Sequence, residues 1–205
     1  MSDQQQHDGL SRRGFIKGVS GGIVGAASLT ALKPAGAAEK YGRTVGPDSA
    51  SITVTVNGIK KKLKIDPRVT LLDAMRDKLN FTGAKRVCNR GECGACTMIM
   101  NGDTVLACSI LAIDADGADI QTIEGLADGD NLHPVQQKFI ENDALQCGFC
   151  TPGFIMSGVA LLQKNPDPSM DEIKYAVSGN LCRCGTYPHV FKAIDDAAKA
   201  MKKGG

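Results

Sequence analysis

Cysteine is the residue type in this chain best suited to chemistry, because eight cysteines occur in 205 residues beside only three histidines. A thiolate is a nucleophile and a metal ligand, and two thiols can instead form a disulfide. The even count is therefore compatible with four disulfides, two metal sites or two iron–sulfur clusters. The first group is Cys88, Cys93, Cys96 and Cys108, and the second group is Cys147, Cys150, Cys182 and Cys184.

The spacing of the first group favours a [2Fe–2S] cluster. Its order, C-x4-C-x2-C with a distant fourth cysteine, is the order of plant-type ferredoxins. Gly91 and Gly94 lie within this loop and allow sharp turns, so that backbone N–H groups can point at sulfur. We expect Cys108 to return to the loop after a β-hairpin. A zinc site and a disulfide scaffold are the alternatives, although this spacing is unlike a zinc knuckle.

The second group consists of two distant pairs, C-x2-C and C-x-C, placed between predicted helices. In an up-down bundle, the loop between helices one and two lies at the same end as the loop between helices three and four. The four thiolates of the second group are therefore expected to converge. The C-x-C pair is cramped for a zinc knuckle and for a disulfide.

Periodicity predicts the elements that position these cysteines. Alternating apolar residues indicate a small mixed α/β unit over about residues 50–124, and apolar residues at helical spacing indicate four helices beyond it. The predicted elements are a β-hairpin over 52–65 turning at Asn57-Gly58, a helix from Leu71 to about Leu79 capped by Thr70, a hairpin over 98–106, a strand over 120–123, and helices over 133–143, 153–164, 169–179 and from about 188. Thr151-Pro152 is expected to cap and begin the second of these helices, and Ser169 with Glu172 forms a capping box for the third.

The first 37 residues predict an export signal. Arg12-Arg13 precedes a weakly apolar run over 19–32, which is too short to span ~30 Å of hydrocarbon as a helix. A small-x-small cleavage pattern follows at 35–37, and the whole segment resembles a twin-arginine (Tat) signal. An ordinary secretory signal and a membrane anchor are the alternatives. We therefore expect a periplasmic protein that does not span the membrane when mature.

The remaining chain is predicted to have two domains. The expected division is a signal over 1–37, a flexible lead-in over 38–50, a ferredoxin-like domain over 51–124, a linker over 125–132 and a helical domain over 133–205. The net charge of +2 argues against a general nucleic-acid binder. No Ser–His–acid set or phosphate-binding loop is evident, so hydrolysis and ATP chemistry have no support in the sequence.

Three motifs carry a resemblance to a known family, and the similarity extends over about residues 50–202. They are Gly91–Thr97 (GECGACT), Gln146–Gly153 (QCGFCTPG) and Gly179–Tyr187 (GNLCRCGTY). In these motifs the chain resembles the small iron–sulfur subunit of molybdenum hydroxylases, the xanthine dehydrogenase and aldehyde oxidoreductase family. Its Tat-type signal is similar to that of periplasmic aldehyde oxidoreductases.

The resemblance implies an α+β fold, in which a plant-ferredoxin-like β-grasp domain precedes an all-α four-helix bundle. Each domain would hold one [2Fe–2S] cluster on its own group of four cysteines. Gln146 matches the glutamine that hydrogen-bonds the molybdopterin of a large partner subunit, and the region of Cys184 would touch the pterin edge.

The function implied by the resemblance is electron transfer without catalytic residues of its own. Electrons from aldehyde or N-heterocycle oxidation at the partner's molybdopterin would cross both clusters and reach an FAD-binding subunit, a cytochrome or another acceptor. The alternative is a standalone periplasmic two-cluster carrier or sensor. An exposed apolar patch around the Gln146 loop would favour a permanent subunit.

Overall fold

The computed structural model describes residues 47–203. The expected signal over 1–37 and most of the expected lead-in over 38–50 lie outside the described residues. No helix in the described range is long and apolar enough to cross a membrane.

The first half of the described chain is a five-stranded mixed sheet in the order β2-β1-β5-β3-β4. Strand β1 pairs in parallel with β5, and the other pairs are antiparallel. The strands are β1 Ala50–Val56, β2 Ile59–Ile65, β3 Thr97–Met100, β4 Asp103–Leu106 and β5 Asp119–Gln121. Both predicted hairpins are confirmed. The strand predicted over 120–123 is present as β5, which begins one residue earlier and ends two residues earlier than predicted.

The hairpin turns follow from their sequences. Asn57 and Gly58 have φ angles of 50° and 77°, and Asn101 and Gly102 repeat the pattern at 52° and 86°. Positive φ at both central residues is the type I′ geometry that matches the twist of the strands. Apolar and polar residues alternate along β1, and its apolar Ile52 is buried in the hydrophobic core of the sheet half.

A short helical segment leads towards the first group of cysteines. One α-helical turn, α1 Leu71–Asp73, continues as a π-helical turn over Ala74–Lys78, so the predicted helix from Leu71 to about Leu79 is present but is mostly π-helical. Thr70 caps α1 as predicted, accepting a hydrogen bond from the Asp73 N–H at 3.1 Å. Beyond the π turn, the Arg76 guanidinium donates to the carbonyls of Thr82 and Ala84, both at 2.7 Å. These bonds fix the path of the chain that enters the cysteine loop.

The second half consists of four helices. They are α2 Pro134–Glu141, α3 Thr151–Lys164, α4 Met170–Ala176 and α5 Tyr187–Lys203. Helix α3 is central, as its apolar composition predicted, and its Phe154, Met156 and Val159 side chains are fully buried. The Ser169–Glu172 capping box is confirmed at the start of α4.

Two predicted helix ends are wrong. Thr151 is the first residue of α3 rather than its cap, because Cys150 before it already has helical dihedral angles (φ −83°, ψ −18°). Pro152 lies in the first turn, as predicted. Helix α4 ends at Ala176 instead of Gly179, because Val177 leaves the helical path and the chain turns inward towards Asn180.

The two halves are in direct contact. Helix α3 packs on β3, and the Ile99 side chain of that strand belongs to the core of the helical half. Lys164 at the end of α3 forms an ion pair with Asp103 of β4. The sheet and the helices therefore form one packed unit, which confirms the α+β prediction of a sheet domain followed by a helical bundle.

Candidate metal centres

The first group of cysteines surrounds a loop shaped by residues with positive φ, among them Gly91 at 78° and Gly94 at 68°. Within this loop the Gly91 N–H donates to Cys108 Sγ at 3.2 Å, and the Glu92 N–H donates to Cys88 Sγ at 3.4 Å. The backbone amides therefore point at sulfur, as the glycine positions predicted. Cys108, which follows the second hairpin, returns to the loop as expected.

The thiols of the first group influence one another. Cys88 interacts with Cys93, and Cys96 interacts with Cys108 and more weakly with Cys93. Cys96 and Cys108 are buried, whereas the other pair is half-buried. The loop thus presents one inner and one outer pair of sulfur ligands.

The second group also converges. Cys147 and Cys184 have their Sγ atoms 3.6 Å apart, and Cys150 interacts with Cys182 and more weakly with Cys147. The loop before α3 and the loop before α5 therefore meet at one end of the helical half, as the bundle argument predicted. Cys150 is the N-cap residue of α3, where the helix dipole is favourable for negative charge.

Hydrogen bonds and burial act on the thiols in opposite directions. The backbone N–H of Arg90 is the main cause that lowers the pKa of Cys88 to about 6. Burial raises the pKa of Cys96 and of Cys150 to about 12. Burial also opposes ionisation of Cys182, but hydrogen bonds from Thr186, together with Cys150 and the Gly185 backbone, outweigh it and lower its pKa to about 7.

The Cys96 and Cys150 thiols, whose pKa values burial raises, need a nearby positive charge before they can ionise at neutral pH. A bound metal supplies that charge and deprotonates the coordinating thiol outright. None of the eight cysteines, all of which lie in the described range, forms a disulfide. The eight free thiols, in two groups of four, are a donor set that can bind metal ions or clusters.

The arrangement of the thiols fits iron–sulfur clusters. A [2Fe–2S] cluster with four cysteines takes two thiolates on each iron. Each group supplies four thiols, of which Cys147 and Cys184 lie with their Sγ atoms 3.6 Å apart.

Gln146 and Cys184, the two residues matched to pterin contacts, lie at the same place on the surface. Gln146 is exposed and directly precedes Cys147, whose sulfur is 3.6 Å from that of Cys184. Apolar side chains are exposed around this loop, and a shallow cavity of about 290 Å³ opens among some of them. The exposed apolar residues are Leu132, Ile140, Leu145 and Phe149, which we call the Gln146 patch.

The roles of two residues around Cys182, Thr186 and Tyr187, were not predicted from the sequence. The Thr186 hydroxyl lies 3.2 Å from Cys182 Sγ, and the Cys182 N–H donates to the Tyr187 hydroxyl at 2.8 Å. Tyr187 also makes an edge-to-face contact with Phe154, with ring centroids 5.9 Å apart. The only sequence signal for these roles is proximity to a cysteine, which does not show the direction of a side chain.

Comparison with known proteins matches each half to an iron–sulfur family. Residues 54–123 match the 2Fe-2S iron-sulfur cluster binding domain, and residues 122–195 match the [2Fe-2S] binding domain. The aldehyde oxidoreductase iron–sulfur-binding subunit PaoA of Escherichia coli (strain K12) is 41% identical over 97% of this chain and 93% of its own. The chain belongs to the family of small iron–sulfur subunits of molybdenum hydroxylases.

Other members of this family support the assignment. The nicotine 6-hydroxylase small subunit of Paenarthrobacter nicotinovorans is 47% identical, over 73% of this subunit and 90% of its own length. The solved structure of quinoline 2-oxidoreductase from Pseudomonas putida 86 superposes with a TM-score of 0.73 at 40% identity, covering 77% of this subunit and 98% of that chain. The predicted family and the predicted cofactors, two [2Fe–2S] clusters, are confirmed. The subunit is a non-catalytic electron-transfer component of a multi-subunit oxidoreductase.

Proposed function

We propose that Cys88, Cys93, Cys96 and Cys108 bind one [2Fe–2S] cluster and that Cys147, Cys150, Cys182 and Cys184 bind the other. The observation that carries this assignment is the convergence of each group of four cysteines, shown by the Gly91 N–H donating to Cys108 Sγ in the first group and by the 3.6 Å between Cys147 Sγ and Cys184 Sγ in the second. When bound, the two clusters supply one-electron redox chemistry. The residues of the subunit hold them and set their surroundings.

The protein groups around sulfur tune the two sites in ways that the structure makes explicit. The N–H groups of Gly91 and Glu92 donate to sulfur in the first site, which favours the electron-rich reduced state. In the second site, Thr186 lies against Cys182, and the N-terminus of α3 lies at Cys150. Burial of the inner thiols keeps water away from one side of each site.

The second site is proposed to face the partner. In this proposal the Gln146 patch binds a large molybdopterin-binding subunit, with Gln146 and Cys184 next to its pterin. A large exposed apolar patch marks an interaction surface, and Leu132, Ile140 and Leu145 are exposed around one cavity here. This surface favours a permanent subunit over a standalone carrier or sensor. Electrons then leave through the first site to an FAD-binding subunit or a cytochrome.

The substrate class proposed for the complex is an aldehyde. PaoA of Escherichia coli, named as part of an aldehyde oxidoreductase, aligns over 97% of this chain, whereas the nicotine 6-hydroxylase small subunit aligns over 73%. The similarity to PaoA must therefore extend into the segment before residue 47. We also propose periplasmic location after Tat export, on the twin arginine at 12–13. Replacing both arginines by lysine should retain the subunit in the cytoplasm, and undiminished export would refute this part.

A matched pair of surface variants tests the docking proposal. Phe149 in the Gln146 patch is 59% exposed, and Tyr175 on α4 is 83% exposed on another surface, beside Lys164. In the assembled complex, Phe149→Asp should release the large subunit during purification, whereas Tyr175→Asp should not. Both should keep about four iron and four acid-labile sulfide per chain, as two [2Fe–2S] clusters require. Retention of the large subunit by Phe149→Asp would refute the docking surface, and a colourless native protein would refute the function.

A further inference from the structure

The loops that carry the two groups of cysteines are joined by a buried side chain. Asn180 lies two residues before Cys182 and is only 4% exposed. Its Nδ2 donates to the Gly94 carbonyl at 2.9 Å and to Thr97 Oγ1 at 3.3 Å, and its Oδ1 accepts from the Ser157 hydroxyl at 2.8 Å. A single carboxamide thus connects the first cysteine loop, strand β3 and helix α3.

Glycines allow the backbones to approach closely at this junction. A Cβ on Gly94 would lie 2.5 Å from Asn180 Nδ2 and 2.5 Å from the Gly179 carbonyl oxygen. A Cβ on Gly153, in the first turn of α3, would lie 2.3 Å from the Gly94 carbonyl oxygen. No side chain fits at either position without movement of the main chain. The junction is therefore a main-chain contact held by polar side chains.

The same junction contains a direct main-chain bridge between ligand residues of the two groups. The N–H of Leu181 donates to the carbonyl of Cys93 at 2.9 Å, and Leu181 is bonded to Cys182. From Cys93 Sγ to Cys182 Sγ, the route is covalent except for this one hydrogen bond. Electron tunnelling decays more slowly along bonds than across a gap, so an intact hydrogen bond provides a favourable route.

We propose that Asn180 is a positioning residue for electron transfer between the two clusters, because its carboxamide holds the Leu181 N–H against the Cys93 carbonyl. The inference rests on the ligand assignment proposed above. In the step concerned, one electron moves from the second site to the first, so that the second is oxidised and the first reduced by one unit. Asn180 takes no part in the redox change and acts through the geometry of the bridge.

The test uses the assembled complex carrying Asn180→Asp, which keeps the shape of the side chain but removes both donated hydrogen bonds. The control is Asn142→Asp in the loop after α2, where the native Nδ2 donates to the Lys138 carbonyl at 3.0 Å and to Asp196 at 3.2 Å. Thr97→Val is a milder second variant, since it removes the hydroxyl that accepts from Asn180 but leaves the carboxamide. Iron and sulfide content are measured first in all of them.

Three readouts follow in each variant. Hydrogen exchange of the peptide that contains Leu181 reports the bridge, EPR spin–spin coupling between the two dithionite-reduced clusters reports their relative placement, and freeze-quench EPR after substrate addition reports how fast the first site is reduced. Asn180→Asp should expose the Leu181 amide to exchange, weaken the coupling and slow reduction of the first site several-fold, at native iron content. Thr97→Val should change them in the same direction by less, and Asn142→Asp should change none.

The outcomes separate the two proposals. Native coupling and a native rate in both Asn180→Asp and Thr97→Val would overturn the positioning role, and so would an equal change in Asn142→Asp. If Asn180→Asp does not fold, Thr97→Val decides. A native rate of reduction of the first site in that variant, together with an exposed Leu181 amide, overturns the positioning role. Absence of two clusters from the native complex would instead refute the ligand assignment.

Discussion

Replacement of Gly153 by alanine should destabilise the subunit, although the same change stabilises an ordinary helix. Gly153 lies in the first turn of α3, and a Cβ there would lie 2.3 Å from the Gly94 carbonyl oxygen and 3.2 Å from Ala95 Cα. Ordinary van der Waals contact begins at 3.4 Å, so the two backbones must separate by about 1 Å in a close-packed region. A rotamer change of Asn180, whose Nδ2 would lie 3.0 Å away, cannot relieve the 2.3 Å contact, because the Gly94 carbonyl oxygen is a main-chain atom.

The expected size follows from two opposing effects. Glycine to alanine inside a helix is worth about 1 kcal/mol in favour of alanine. Overpacking costs ~1–3 kcal/mol, and a clash with the backbone of Gly94 falls at the upper end of that range. The net loss is then about 2 kcal/mol, which lowers the apparent melting midpoint by about 4–8 °C in a domain of this size.

The assay compares Gly153→Ala with a second glycine of the same helix. A Cβ at Gly158 would meet the Ile194 side chain at 3.1 Å and 3.2 Å and Val135 Cγ1 at 3.7 Å, and side chains can yield by a few tenths of an ångström. Thermal unfolding of the loaded subunit is followed by far-ultraviolet circular dichroism and by visible absorbance of the clusters. Gly158→Ala should stay close to the native midpoint. Equal midpoints for the two variants would refute the close approach at Gly153.

Three further predictions concern the ligands, a titrating cap and a helix start. Cys147→Ser should reduce iron and sulfide from about four to about two per chain and remove one EPR signal, while Cys88→Ser should remove the other; unchanged iron would contradict the ligand assignment. In the folded chain, burial lowers the pKa of the His133 imidazole below its usual 6.5. As the pH falls, the imidazole is therefore protonated in the unfolded chain before it is protonated in the folded chain. Stability is lost as the pH falls from 6.5 to the lower pKa of the folded chain. His133→Asn should therefore flatten the dependence of the melting midpoint on pH between neutral and mildly acidic solution, and an unchanged slope would contradict this. Ser169→Ala should cost about 1 kcal/mol through loss of the cap of α4, measured by thermal unfolding beside Ser178→Ala, and equal midpoints would show that the cap contributes nothing.

Short-range sequence signals predicted the fold well where neighbouring residues decide the structure. The Asn57-Gly58 turn and the Ser169–Glu172 capping box depend on dihedral angles and hydrogen bonds within a few residues, and both are present. The start of α3 was mispredicted at Thr151 because the preceding cysteine loop runs directly into the helix. In that position the Thr151 hydroxyl is buried without a hydrogen-bond partner, so a residue type typical of caps is not a cap here.

The cysteine spacing predicted the ligand groups of the candidate site but not their surroundings. Spacing identified both groups of four, and the bundle argument explained how Cys147 and Cys184 meet. It did not show which thiols pair, nor the junction around Asn180. The carboxamide of Asn180 bonds a carbonyl 86 residues earlier in the chain, and no local pattern encodes a contact of that range. Asn180 stands in a motif next to cysteines, but its side-chain direction is set by tertiary packing.

The close junction between the two halves also limits how members of this family can be recombined. A sheet half taken from a relative would need a residue without a side chain at position 94 and a hydroxyl at position 97 to dock on this helical half. The helical half would in turn have to retain Gly153 and Asn180. Chimeras joined in the connection at 125–132 are therefore expected to succeed only when these four positions travel as a compatible set. A designer who exchanges one half between relatives must therefore exchange the matching junction residues with it.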